Sequence, residues 1–266
     1  MSENKTKKQE VIDVTPYQEF ARDRLGIEFN DISLLVEALT HRSYVNEHRE
    51  NSPAHNERLE FLGDAVLELI TSDYLFRTFN ESEGILTALR SALVRTESIC
   101  AAGHELGYEP LVRLSKGEQN GVERAHEVIF ADCFEAVVGA IYLDQGYEVA
   151  KDMIYKHIIV KIDEIIEECL WRDPKSYAQE LAQKLEASTP VYHTLYETGP
   201  DHDKYFEVGF YVNDDHHPFT TGEGHSKQEA QTKAALAAIK IFREKYGDDE
   251  VGIIHKITPE ENKIEK

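Results

Sequence analysis

The sequence is short of cysteine, of positive charge and of long apolar runs, and each shortage excludes something. Its 266 residues include only 3 cysteines, Cys100, Cys133 and Cys169, widely spaced and without a CxxC pair. An odd, scattered set of thiols argues against a disulfide framework and a structural zinc site, and for reduced thiols in a cytoplasmic protein. No run of about 18 apolar residues is present, which excludes an ordinary membrane-spanning helix. The first fifteen residues hold no apolar segment, so a secretory leader is not expected. Lys and Arg number 29 against 50 Asp and Glu, a formal net charge of −21. That balance counts against a nucleic-acid partner, because phosphate contacts require cations.

The deficit is uneven. Residues 1–173 hold 18 basic and 33 acidic side chains, whereas residues 174–246 hold 8 and 11 and carry five of the twelve histidines. The later segment is thus the least acidic of the parts expected to fold. Hydrophobic residues make up 41% of the chain, enough for a core of one or two domains.

From Tyr17 to about Ile166 apolar residues recur at helical spacing. Ile32, Leu34, Leu35, Ala38 and Leu39 form one stripe; Leu59, Leu62, Val66, Leu69 and Ile70 form another. Ile129 to Leu143 is nearly continuous apolar sequence, as in a helix buried on most sides. The pattern changes at Trp171-Arg172-Asp173-Pro174, where proline marks a boundary. A helix from Ser176 to about Ala187 is followed by strand-like Val191–Tyr196 and Tyr205–Val212, with turn chemistry at Gly199-Pro200-Asp201 and Asn213-Asp214-Asp215. Ser226 and Glu229 form an S-x-x-E capping pattern at the head of an alanine-rich helix to about Tyr246. The expected bounds are a disordered tail over 1–16, an all-α domain over 17–146, a terminal helix and linker over 147–173, an α-β-β-β-α domain over 174–246 and a charged tail over 247–266.

The informative stretch is His55-Asn56-Glu57-Arg58-Leu59-Glu60-Phe61-Leu62-Gly63-Asp64-Ala65-Val66. At about 100° per residue, Glu57, Glu60 and Asp64 share one helical face. Like charges on one face are destabilising unless a cation compensates; a solvated acidic face is the plain alternative. Asp132 and Glu135 share a face of the apolar 129–143 helix, where carboxylates are costly unless paired or metal-bound. Arg58 or Arg90 could pair with them. Alternatively, oxygen ligands from two helices suit Mg²⁺ or Mn²⁺ and the hydrolysis of phosphodiesters. Spacing alone leaves the two readings even.

The run Asn56-Glu57-Arg58-Leu59-Glu60-Phe61-Leu62-Gly63-Asp64-Ala65-Val66-Leu67-Glu68 resembles the signature of ribonuclease III. The likeness extends to Leu39-Thr40-His41-Arg42-Ser43 and to Ala131-Asp132-Cys133-Phe134-Glu135-Ala136, and spans about residues 17–246. It implies an Mg²⁺-dependent endonuclease of double-stranded RNA, with Mn²⁺ able to substitute, leaving 5′-phosphate and 3′-hydroxyl ends with short 3′ overhangs. It implies Glu60, Asp132 and Glu135 as metal ligands, Asp64 and Glu135 as catalytic residues, and Glu57 and Glu83 as supporting acids. It also implies a homodimer through the nuclease domain, no small-molecule cofactor, and work on ribosomal-RNA precursors and structured transcripts. His41 and Arg42 are read as structural, with a general-base His41 the sharper alternative; Phe61 and Leu62 are read as core or dimer contacts.

The segment from 174 resembles the double-stranded-RNA-binding domain, which reads duplex shape across ~16 bp. The resemblance assigns RNA contacts to Ser176, Gln179, Glu180 and Gln183 on the first helix, His202 in the Gly199-Pro200-Asp201-His202 loop, and Ser226, Lys227, Gln228 and Gln231 at the second helix. Glycines before a helix N-terminus, with Lys227, suit a phosphate. Two other classes compete. A non-enzymatic RNA-binding regulator predicts a missing ligand, and none is missing; a hydrolase of small phosphate esters leaves the C-terminal domain without a task.

Gln228 and Gln231 stand where the family usually has lysine, and glutamine neutralises no phosphate. RNA binding is therefore expected to be weaker and less salt-sensitive than in relatives with all three lysines. The double variant Gln228→Lys/Gln231→Lys should steepen the dependence of duplex affinity on salt; an unchanged slope contradicts this.

Overall fold

The computed structural model describes residues 12–48, 54–119, 123–200, 203–213, 216–252, 254 and 256. These divide into two units, one up to Thr78 with 89–162, the other 79–88 with the residues from Asp163 onward. Residues 1–11 of the expected N-terminal tail, and His202, lie outside the described residues. Helix starts at Thr15 rather than after 16.

The first unit is helical, as expected. It contains α1 (Thr15–Phe20), α2 (Ile32–Ala38), α3 (Arg42–Glu47) and α4 (Glu57–Thr78). After α5 (Glu83–Val94), which runs across the division, come α6 (Thr96–Leu106), α7 (Lys116–Gln119), α8 (Glu123–Gln145) and α9 (Tyr147–His157). Local chemistry sets several ends. Asp31 Oδ1 accepts from Ser33 N–H at 3.0 Å to cap α2, and Gly107, at φ 75°, closes α6 in the left-handed conformation that glycine adopts freely. The axis of the unit is α8, whose Cys133, Phe134, Ala136, Val137, Val138, Ala140 and Ile141 are fully buried.

Helix α4 crosses α8 at backbone contact. A Cβ built at Gly63 would lie 1.8 Å from the Glu135 carbonyl oxygen, and one at Gly139 would lie 2.3 Å from the Leu59 carbonyl oxygen. No other residue fits either place. Leu59, Val66 and Ile70 of the expected α4 stripe are buried, but Leu69 is 59% exposed. Leu69 is the correction: it falls with Phe61 (81% exposed) and Phe76 (66% exposed) on a second apolar face of α4 that no described residue covers. Helical spacing cannot tell two apolar faces apart when only one meets the core of its own chain.

The second unit contains α10 (Ile162–Glu167, all but its first residue), α11 (Pro174–Glu186), β1 (Val191–Thr198), β2 (Tyr205–Tyr211), β3 (Thr220–Gly224), α12 (Lys227–Tyr246) and α13 (Asp248–Val251). The strands form one antiparallel sheet in the order β1-β2-β3. Pro174 occupies the first turn of α11, where its missing N–H costs nothing, and Asp173 caps the helix by accepting from Ser176 N–H at 2.8 Å. Tyr177, Leu181, Phe210, Ala234, Ala238 and Phe242 bring the two long helices and the sheet into one core. The glycines before α12 are strand residues rather than a phosphate loop: a Cβ at Gly222 would meet the Ala230 carbonyl oxygen at 2.3 Å, so glycine there lets α12 lie on β3. The expected charged tail also begins with structure, since α13 buries Val251, whose carbonyl accepts from the Tyr177 hydroxyl.

Alanine is the better helix former by about 1 kcal/mol, so Gly63→Ala would stabilise a helix that touched nothing. The crossing reverses the sign. Gly63→Ala should lower stability by about 1–3 kcal/mol and depress activity; a thermal melt at or above wild type contradicts the crossing.

Candidate functional site

Because α4 and α8 touch at Gly63, the residues on either side of the contact face one another. Glu60 and Asp64 flank Gly63 on α4, and Asp132 and Glu135 lie on α8, where the Glu135 carbonyl is itself the contact atom. Their titration records the proximity. Burial pushes Glu135 up to about 8, helped by Asp64, Asp132 and Glu60. Burial raises Glu60, helped by Asp132, Glu57 and Asp64, and burial raises Asp132, helped by Glu57. Each is a case of desolvation compounded by like charge.

The ion-pair alternative fails. Arg90 donates to Ser72 Oγ at 3.1 Å, and Arg58 is exposed, its charge acting on Glu37. Among the described residues no lysine, arginine or histidine forms an ion pair with Glu60, Asp64, Asp132 or Glu135. Glu57, on the same face of α4, is paired, 3.3 Å from Arg42 Nη1. Glu83 is exposed at the start of α5 and accepts from Thr87 Oγ1 at 3.3 Å.

A cleft of about 770 Å³ opens beside these acids, lined among others by Glu57, Glu60, Asp132, Asn56, Arg42 and Glu118. No three His, Cys, Asp or Glu side chains among the described residues are drawn into a closed metal shell; four carboxylates without a cation stand apart. The donor set nevertheless fits a hard divalent ion, being all oxygen, partly desolvated and without an ion-paired cation among the described residues. Sequence reasoning missed three features. Gly63 and Gly139 had a signal, glycine inside a helical pattern. Glu118 had none, since it reaches the cleft from the short α7. His41 caps α3, its Nδ1 accepting from Ser43 N–H at 3.3 Å, and it also lines the cleft.

The second unit presents its own surface. Ser176, Gln179, Glu180 and Gln183 are all exposed along one face of α11. Lys175 Nζ donates to Gln231 Oε1 at 2.8 Å, which sets the start of α11 beside the first turns of α12. Ser226 caps α12, accepting from Glu229 N–H at 3.1 Å, while Glu229 reaches back to the His225 N–H at 2.8 Å. Lys227 and Gln228 are exposed and Gln231 is partly covered.

Both units have counterparts among known proteins. Residues 31–162 match the family model described as Ribonuclease-III-like, and residues 174–241 match the double-stranded RNA binding motif. Ribonuclease 3 of Streptococcus gordonii is 44% identical over 82% of this chain and 93% of its own. Ribonuclease 3 of Carboxydothermus hydrogenoformans is 44% identical over 82% of this chain and 93% of its own. The chain belongs to the ribonuclease III family. Its activity is that of a metal-dependent endoribonuclease acting on double-stranded RNA.

Raised acids carry a stability cost. Glu135 is protonated in the fold up to about pH 8, whereas an unfolded glutamate ionises near pH ~4.3. Folding without metal therefore takes up a proton between those limits, and stability falls as pH rises through them. Glu135→Gln should melt higher than wild type in a chelator, with the gain growing from pH 5 to pH 8; a gain that does not change with pH contradicts the coupling.

Proposed function

We propose that Mg²⁺, with Mn²⁺ as a substitute, is the ion this site takes, held by Glu60, Asp132 and Glu135. The observation carrying this is the burial of Glu135 among three other acids that no cation among the described residues pairs with. When bound, the ion offsets phosphate charge and lowers the pKa of water. Asp64 and Glu135 are the catalytic residues: they orient the attacking water toward the scissile phosphorus and take its proton. Glu57, fixed by Arg42, and Glu83 support RNA engagement. The products are 5′-phosphate and 3′-hydroxyl ends with short 3′ overhangs, and the substrates include ribosomal-RNA precursors and structured transcripts in the cytoplasm. No helix among the described residues is long and apolar enough to cross a membrane, and no small-molecule cofactor is needed.

The working enzyme is a homodimer. Phe61, Leu69 and Phe76 give α4 an exposed apolar face beside the acids, and a second copy of the same helix would cover it and set two clusters across one duplex. The nuclease domain is assigned to 17–146 and the RNA-binding domain to 174–246, joined by 147–173. Ser176, Gln179, Glu180, Gln183, His202, Ser226, Lys227, Gln228 and Gln231 form its RNA surface. The exposure of the α11 residues and of Lys227 and Gln228 supports this reading.

Wild type should cut a long perfect RNA duplex in Mg²⁺, while Glu135→Gln binds the same duplex but does not cut it. Binding without cleavage by wild type would favour a regulator instead. Phe61→Asp should sediment as a monomer and lose most cleavage; an intact dimer overturns the placing of the interface.

A further inference from the structure

The cations of the second unit are largely taken up by its own acids. Lys184 lies 3.2 Å from Glu250, Lys233 2.7 Å from Glu229, Arg243 2.6 Å from Asp248 and Lys245 2.7 Å from Glu186. Glu197, in β1, is different because it serves two lysines from separate elements. Its Oε1 accepts from Lys204 Nζ at 2.9 Å, just before β2, and its Oε2 is 3.4 Å from Lys227 Nζ, the first residue of α12. Lys227 Nζ also sits 5.4 Å from the centre of the Phe206 ring, so it is drawn back along the sheet.

The three side chains remain at the surface, 36% exposed at Lys204, 38% at Glu197 and 56% at Lys227. A carboxylate gripped by two ammonium groups beside a helix N-terminus has the oxygens and the charge sign of a backbone phosphate. Exposed ion pairs are weak, so a duplex can displace it, but the displaced carboxylate is left negative beside an incoming polyanion. It must then attract a solution cation, which offsets part of the counterion release that drives RNA binding.

We propose that Glu197 is a built-in competitor for RNA phosphate: it holds Lys204 and Lys227 in the free protein and surrenders them when duplex binds, lowering both affinity and salt sensitivity. This rests on the reading that the start of α12 faces RNA. It adds to that reading an acid that works against binding, and so sets how well the enzyme discriminates among duplexes by strength of backbone contact.

The test is the affinity of the full chain for a duplex of about 30 bp, long enough for the ~16 bp such a domain spans, with Ca²⁺ replacing Mg²⁺, across a series of KCl concentrations. Glu197→Gln keeps an oxygen for Lys204 and removes the charge. Glu244→Gln removes the same charge from an exposed residue that touches neither lysine. Glu197→Gln should bind about three- to tenfold more tightly at low salt, with a logarithmic salt slope steeper by about 1, and Glu244→Gln should stay close to wild type. Lys227→Gln should cost more in the Glu197→Gln background than in wild type. Equal behaviour of Glu197→Gln and Glu244→Gln, or weaker binding by Glu197→Gln, overturns the inference while leaving RNA recognition intact. Failure of every variant and of wild type to bind duplex overturns the RNA reading of this unit and the inference with it.

Discussion

Two helix backbones touch where neither can carry a Cβ. The Gly63–Gly139 crossing of α4 and α8 sets the helices closer than ordinary side-chain packing allows, and the rest of the site follows from it. Residues next to the contact cannot turn away, so Glu60 and Asp64 are held toward Asp132 and Glu135. The close approach also excludes water, which is why burial is the largest cause of the raised titration of Glu135, Glu60 and Asp132. A looser crossing would have left Glu60, Asp132 and Glu135 in water, without that cause of their raised titration.

The chain then meets an electrostatic problem on two scales. At the site, the partly buried acids have no lysine or arginine ion pair among the described residues, so a balancing cation would come from solution. Over the whole molecule, a net charge of −21 opposes the approach of RNA. The RNA-binding unit does little to compensate. Two of its first-helix-turn positions on α12 are glutamines, one of them engaged by Lys175, and Glu197 occupies two of its lysines. If α11 faces RNA as proposed, its neutral Ser176, Gln179 and Gln183 would suit hydroxyls and groove shape more than charge.

Much of this was legible in the sequence, for identifiable reasons. Glu57, Glu60 and Asp64 share a helical face by spacing alone, and the all-apolar surroundings of Asp132 and Glu135 made those two acids conspicuous. The α-β-β-β-α order was readable because strand alternation, turn residues and the Ser226 cap each punctuate it. What spacing could not supply was tertiary. It left ion pairing and metal binding even, and only the positions of Arg58 and Arg90 removed the first. It assigned Leu69 to the core because apolar periodicity does not say which face its own chain covers. It gave no bounds for the third strand, because Gly222 and Gly224 dilute the β-branched signal of Thr220 and Thr221. The pairing of Glu197 with Lys227 joins residues 30 positions apart in sequence, beyond any local pattern.

The central claim is that α4 and α8 together build a cation site from four otherwise unbalanced acids. Its most direct measurement is Mn²⁺ binding followed by electron paramagnetic resonance, with proton release recorded at pH 7, for wild type and Asp132→Asn. The account predicts saturable binding to wild type with about one proton released per site, since Glu135 holds a proton below about pH 8, and loss of both signals in Asp132→Asn. Equal Mn²⁺ binding by the two proteins, or binding without proton release, would contradict it.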